Sequence, residues 1–141
     1  MNLSFALDVI DGWPPVSVEC LLVESVGDRH RLLSPPLFVK GLSVGDVLCC
    51  QVDPVNGLVF EWSIVERSGH STFWLARLRD TEAIAPALIA LRVLGCHTVS
   101  ADAVGVWSVD VPGDVPIEAV DAILDGLPEL EVAIACPSSR H

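Results

Sequence analysis

A change of hydrophobic rhythm near residue 80 limits this 141-residue chain to a small set of folds. Before that point apolar side chains recur every second residue, in short runs rich in Val, Leu and Ile and separated by Gly, Pro, Asn and Asp. Period two is the mark of a strand with one buried face, and the punctuating residues are those that tolerate turn geometry. "SVECLLVESV" and "GDRHRLLS" read as two strands joined at Gly27-Asp28. "GDVLCCQVD" and "GLVFEWSIVE" flank "PVNG", where Asn56-Gly57 can take the positive φ of a tight hairpin. In the second of these strands Leu58, Phe60, Trp62 and Ile64 are expected to share one apolar face. Four or five such strands predict a small β-barrel or a strongly bent sheet.

After residue 80 the spacing becomes helical. "TFWLARLR" reads as a strand, then "TEAIAPALIALRVL" as a helix opened by Asp80 or Thr81 and closed by Gly95. "HTVSADAVGVWSVDV" reads as two strands around "ADAVG", "VPIEAVDAILD" as a helix capped by Asp114 and ended by Gly126, and "LEVAIACP" as a last strand. The order β-α-β-β-α-β is the split βαβ, ferredoxin-like arrangement. The predicted class is therefore α+β: a barrel-like unit over 1–69 and a ferredoxin-like unit over 70–141. Pro86 favours a late start for the first helix, because proline is tolerated only where the N–H has no helical partner. From Ile84 to Leu94 the only charged side chain is Arg92, so this helix needs cover on a second side. The N-terminal unit is the expected cover, and a second copy of the chain the alternative.

Charge narrows the partners. A formal net charge of −11 is divided evenly, nine acids against four bases over 1–70 and ten against four over 71–141. Such a field repels phosphate backbones and anionic lipid and attracts basic proteins, so neither nucleic acid nor membrane is expected as a partner. The longest apolar helical stretch, "AIAPALIAL", is about half a bilayer span. "MNLSFALDVIDGW" lacks the basic start of a secretory or transit peptide. Five cysteines, an odd number in mostly apolar runs and with no CxxC pair, fit a reducing cytoplasm better than a disulfide framework or a structural zinc site. No metal ligand set and no cofactor is expected.

"RSGHST", residues 67–72, is the stretch most open to a functional reading. Gly69, with Ser68 before it, would let backbone approach a ligand, His70 with Ser71 or Thr72 would supply donors, and Arg67, Arg77 and Arg79 would add positive charge, so that Ser68, Gly69, His70, Thr72, Arg77 and Arg79 are the candidate ligand-binding residues. Four of the eight basic side chains fall between 67 and 92. The competing reading makes Ser68-Gly69 an interdomain turn and His70 a solvated side chain. No G-x-S-x-G elbow, P-loop or dinucleotide fingerprint is present, and no catalytic residue is assigned. Asp46, after Gly45, reads as a barrel corner that ties down backbone N–H groups. Trp13, Trp74 and Arg92 are candidate interface residues, while Trp62 and Trp107 are expected in the core.

The run from Ser34 to Thr72 resembles a bacterial family known mainly as a domain of unknown function, with a Pro-Phe pair, Gly-x-x-x-Gly-Asp, a hairpin and Ser-Gly-His-x-Thr. Pro36, Phe38, Gly41, Gly45, Asp46, Gly57, Phe60, Ser68, Gly69, His70 and Thr72 carry the resemblance. The chain departs from the pattern where Phe73 and Trp74, not an arginine, follow Thr72. The resemblance implies a soluble bacterial protein of two parts and no particular activity.

Together these features point to binding rather than catalysis: an acidic accessory protein, of the inhibitor or immunity type, for a basic protein, or one that self-associates. The alternative is a small-ligand binder or enzyme with a pocket between the two halves around His70 and Arg77.

Overall fold

Alternation over Val18–Val26 places Glu19, Leu21 and Val23 on one side and exposes Cys20, Leu22 and Glu24 on the other, as period two requires. In the computed structural model, which describes residues 1–141, that strand (β2) lies between β1 (Asn2–Ala6) and β3 (Arg29–Leu32). β4 (Val47–Val52) and β5 (Val59–Glu66) follow, and the ring closes through a parallel pair between Phe5 of β1 and Val59 of β5. Both predicted hairpins form. The N-terminal strand was not expected, and it supplies the fifth member of the ring. Phe5, Leu21, Val23, Leu32, Leu42 and Leu48 fill the interior. Each fully buried leucine there contributes roughly 1.5–3 kcal/mol.

Strand β5 corrects one expectation. Trp62 and Ile64 do turn inward, but Phe60 is exposed and Val59 is buried. The register of β4 against β5 shifts between Gln51 and Val52, so that Phe60 is the extra residue of a bulge. A bulge puts two residues opposite one and reverses the inward parity beyond it. Cys49 and Cys50 fall on opposite faces, Cys50 toward the core. Burial, together with the neighbouring Cys49, pushes the Cys50 thiol up to about 11.

The second unit is a four-stranded antiparallel sheet in the order β7-β8-β6-β9, with β6 at Ser71–Arg77, β7 at His97–Ala101, β8 at Val106–Val111 and β9 at Val132–Ser138. Helices α1 (Ile84–Leu94) and α2 (Ile117–Asp125) pack on one face around Phe73, Leu75, Leu91, Val109, Val120 and Leu124. The chain is thus a mixed α+β protein, mostly strand with two helices and two separate apolar clusters. No helix is long and apolar enough to cross a membrane.

Three local expectations change in this unit. Helix α1 does start late, with Pro86 its third residue, but its N-cap is Ala83 rather than Asp80 or Thr81. Thr81 Oγ1 instead accepts from the Ala83 N–H just outside the helix. Helix α2 is preceded by Pro116, and Asp114 stands exposed in the turn before it. The outer face of α1 has no cover from the N-terminal unit: Ile89 is 59% and Val93 81% exposed. Gly95 closes α1 at φ 107°, the left-handed cap expected of it.

The two units meet where β5 hands over to β6. Asp46 is 0% exposed and takes N–H groups from Ser43 and Ser68, the corner role predicted for it. Gly45 makes that corner at φ 90°, and a Cβ there would lie 2.9 Å from Ser68 Cβ. Gly45→Ala is expected to cost about 1–3 kcal/mol in urea unfolding, because the strained backbone and the contact act together. A loss below a few tenths would show that the corner relaxes freely.

Candidate functional site

The sequence-predicted residues separate into two groups. Ser68 Oγ donates to Val44 O at 2.6 Å and accepts the His70 N–H at 3.3 Å, so it is occupied by the corner. Gly69 packs backbone to backbone against Gly113. Thr72 is buried, its Oγ1 donating to Ser43 Oγ at 2.8 Å and lying 3.2 Å from Leu42 O. Ser43 also donates to Ser138 at 2.9 Å, which sews both units to the end of β9. These residues form the seam.

Arg77 and Arg79 lie elsewhere. Arg77 ends β6, seven residues and roughly 20 Å of extended chain from His70. Its guanidinium sits 5.9 Å from the Trp107 ring centroid, and the residue lines a separate cavity with Asp80, Glu82 and Glu131. Arg79 is exposed. His70, Thr72, Arg77 and Arg79 therefore do not converge in one concavity, and the expected pocket between them is not formed. The cause is register: β6 crosses the whole sheet between Thr72 and Arg77. Arg92 is also remote, its Nε donating to Thr98 Oγ1 at 2.8 Å.

His70 is more constrained than a solvated turn residue. Its Nδ1 lies 2.7 Å from Oδ1 of Asp110, a β8 carboxylate whose side chain is 1% exposed. His97, at the start of β7, approaches the other oxygen, Nδ1 to Oδ2 at 3.3 Å. A carboxylate only accepts, so both rings hold their proton on Nδ1 and turn Nε2 away. A buried carboxylate that fixes a histidine tautomer is the orienting half of a general-base pair. The nucleophile half is not in place, because the Ser68 and Ser71 hydroxyls are both engaged; Ser71 Oγ accepts from the Arg140 N–H and lies 2.7 Å from His141 Nδ1. His70, His97 and Asp110 do not form a three-ligand metal site. Asp110 could have been singled out in the sequence as the one charge inside the apolar run "VGVWSVDVP".

A concavity between the two units does form, and it is aromatic. A groove of about 540 Å³ is walled by Trp13, Phe38 and Trp62 from the first unit and by Trp74 from β6, with Asp8 and Lys40 at its rim. Three of the four tryptophans meet there. Trp13 stands edge-on to Phe38, ring centroids 6.0 Å apart. Trp74 is held by its Nε1, which donates to Pro36 O at 2.8 Å. The loop carrying Phe38 is fixed by Glu19, a buried side chain whose carboxylate accepts the N–H groups of Leu37, Phe38 and Val39 at 2.6, 3.0 and 3.0 Å. Glu19 occupies an inward position of β2, in step with Leu21 and Val23. A carboxylate at a core position of the alternation is the signal that could have revealed it.

A family model described as a domain of unknown function, DUF4265, matches residues 19–133. The chain belongs to the DUF4265 family. The matched part of this DUF4265 chain begins at Glu19 and contains Phe38, Trp62, Trp74 and Asp110, and lies short of Arg140. No curated protein matches it. Among solved structures, a hypothetical protein from Neisseria gonorrhoeae is similar with a TM-score of 0.76 and 16% sequence identity. The match covers 100% of this chain and 97% of that one, so the two share the order of both units. At that identity the likeness is one of fold.

Proposed function

We propose that this DUF4265 protein is a non-catalytic accessory protein of bacteria that binds a basic protein partner, in the manner of an inhibitor or immunity protein, through the aromatic groove. The observation that carries this reading is the convergence of Trp13, Phe38, Trp62 and Trp74 on one groove of a chain with net charge −11. Tryptophans are the commonest binding hot spots, and their faces attract Arg and Lys side chains. The dispersed acids steer a cationic partner, and the opposite charges of Asp8 and Lys40 orient it at the rim. Groove and charge thus select the same class of partner.

The architecture behind this reading is a small barrel over 1–69 and a ferredoxin-like unit over 70–141. The closed five-strand ring supports the first, and the strand order β9-β6-β8-β7 with two helices on one face supports the second. Five thiols outside any disulfide suit a cytoplasmic location.

The test is a titration with a Lys/Arg-rich peptide carrying one apolar anchor, followed by tryptophan fluorescence. Binding is expected to shift the emission, to weaken as salt rises, and to weaken about 30-fold in Trp13→Ala, a loss of about 2 kcal/mol. Trp13 is 53% exposed, so its removal leaves the fold in place. Salt-independent binding, or equal binding by Trp13→Ala, would refute the reading.

A further inference from the structure

We propose that the chain dimerises through the open edge of β9, which pairs antiparallel with β9 of a second copy to join two four-stranded sheets into one of eight. β9 pairs with β6 on one side only, so its outer row of backbone N–H and C=O groups is unpaired. Proteins guard such edges with charged side chains, prolines or a covering element. Here residues 132–139, "VAIACPSS", carry no charge, in a chain where 8 bases and 19 acids make about one residue in five ionised. Ala133, Ile134, Ala135 and Cys136 are all exposed. Pro137 alone interrupts the edge, near its end.

The opposite edge is finished differently. β7 has the polar sequence "HTVSA", with His97 turned to Asp110 and Thr98 bonded to Arg92. The two edges of the sheet are thus unlike, and β9 is the one suited to pairing.

The edge is self-complementary in shape, with an exposed isoleucine beside an apolar cleft, and charge sets the orientation of the second copy as antiparallel. Parallel pairing would stack Glu131 on Glu131, whereas antiparallel pairing sets the acidic start of one strand against the neutral Pro137-Ser138 end of the other. Beside the edge, Leu124 and Leu127 with Val132 and Ile134 line an apolar cleft of about 260 Å³. Ile134 is 43% exposed at that cleft and is placed to enter the partner's. The rim acids Asp125 and Glu129 of the two copies then approach each other. Added salt screens that repulsion and strengthens the dimer, the reverse of its effect on a basic partner in the groove.

Sedimentation velocity on the full chain, from low micromolar to near-millimolar and at low and high salt, tests this. Wild type is expected to approach the mass of two chains with rising concentration, more readily at high salt. Ile134→Asp should raise the dissociation constant at least about 100-fold while keeping the far-UV circular dichroism of wild type, since it puts a further acid into a cleft already rimmed by Asp125 and Glu129. Should Ile134→Asp fail to fold, Ala135→Asp on the other face carries the test, with a rise of about tenfold from like charges set across the joined strands. A wild type of single-chain mass throughout, a dimer weakened by salt, or a folded variant that still pairs would overturn the proposal. None of these outcomes bears on peptide binding by the groove.

Discussion

Arg140→Ala is expected to cost about 3–5 kcal/mol in denaturant unfolding and to lower the Tm by roughly 8–16 °C. Arg140 lies beyond the last strand, outside any regular element. Here its guanidinium enters the seam with a side chain 8% exposed and grips Asp46 with two bonds, Nη1 to Oδ1 at 2.8 Å and Nη2 to Oδ2 at 2.9 Å. It also donates to the carbonyls of Ser68 and Gly41 at 3.1 and 3.3 Å. Removing it leaves the Asp46 carboxylate, buried in the intact seam, with two backbone N–H groups and no counter-charge. The expected loss is largely that unpaired buried charge rather than the worth of the pair. The effect should depend on pH. Burial alone would raise the Asp46 carboxyl, but the Arg140 hydrogen bond, the N–H groups of Ser68 and Ser43 and the guanidinium charge outweigh it and hold it below its ordinary 3.8. A lowered carboxylate contributes stability in full above that ordinary value and loses it as pH falls through the lowered one. The gap between wild type and Arg140→Ala should therefore narrow below about pH 4. A variant with wild-type Tm at neutral pH would show that the tail leaves the seam in solution.

Glu19→Ala is expected to cost about 3 kcal/mol and to loosen the groove. Three loop N–H groups lose one acceptor together, and each unpaired donor costs about 1–3 kcal/mol where water does not reach it. The three share one partner, so the losses do not simply add. Hydrogen exchange should accelerate at Leu37, Phe38 and Val39 while the β6–β8 ladder stays protected. Glu19→Gln keeps one acceptor oxygen and should fall between. Unchanged exchange at 37–39 in Glu19→Ala would show that the loop is held by packing alone, and that the groove does not depend on the carboxylate.

These two residues also mark how far local pattern reaches. Most strands, the hairpin turns and some helix ends were legible where a cause lies within a few residues: Asn56-Gly57 for a turn, Gly95 for a left-handed cap, Pro86 for a late helix start; the caps placed at Asp80 or Thr81 and at Asp114 were not, and β1 was missed. The Asp46 corner was legible for the same reason, since Gly45 and Ser43 are its neighbours. Phe60 was misplaced because one bulge reverses inward parity, and a bulge is set by the partner strand. The partner of His70, Asp110, lies forty residues further on and Arg77 is remote from it, because sheet order and register decided both distances.

By itself, then, the order of residues determined most of the elements, the buried faces of the strands without a bulge and the acidic field, all of which follow from short-range sterics, periodicity and summed charge. Tertiary structure alone decided that Trp13, Trp62 and Trp74 share a groove, that Arg140 reaches Asp46 across 94 positions, and that β9 is left at an edge. Such meetings depend on which strands pair and in what register, and pairing is settled by burying both apolar clusters at once rather than by any residue's neighbours in sequence.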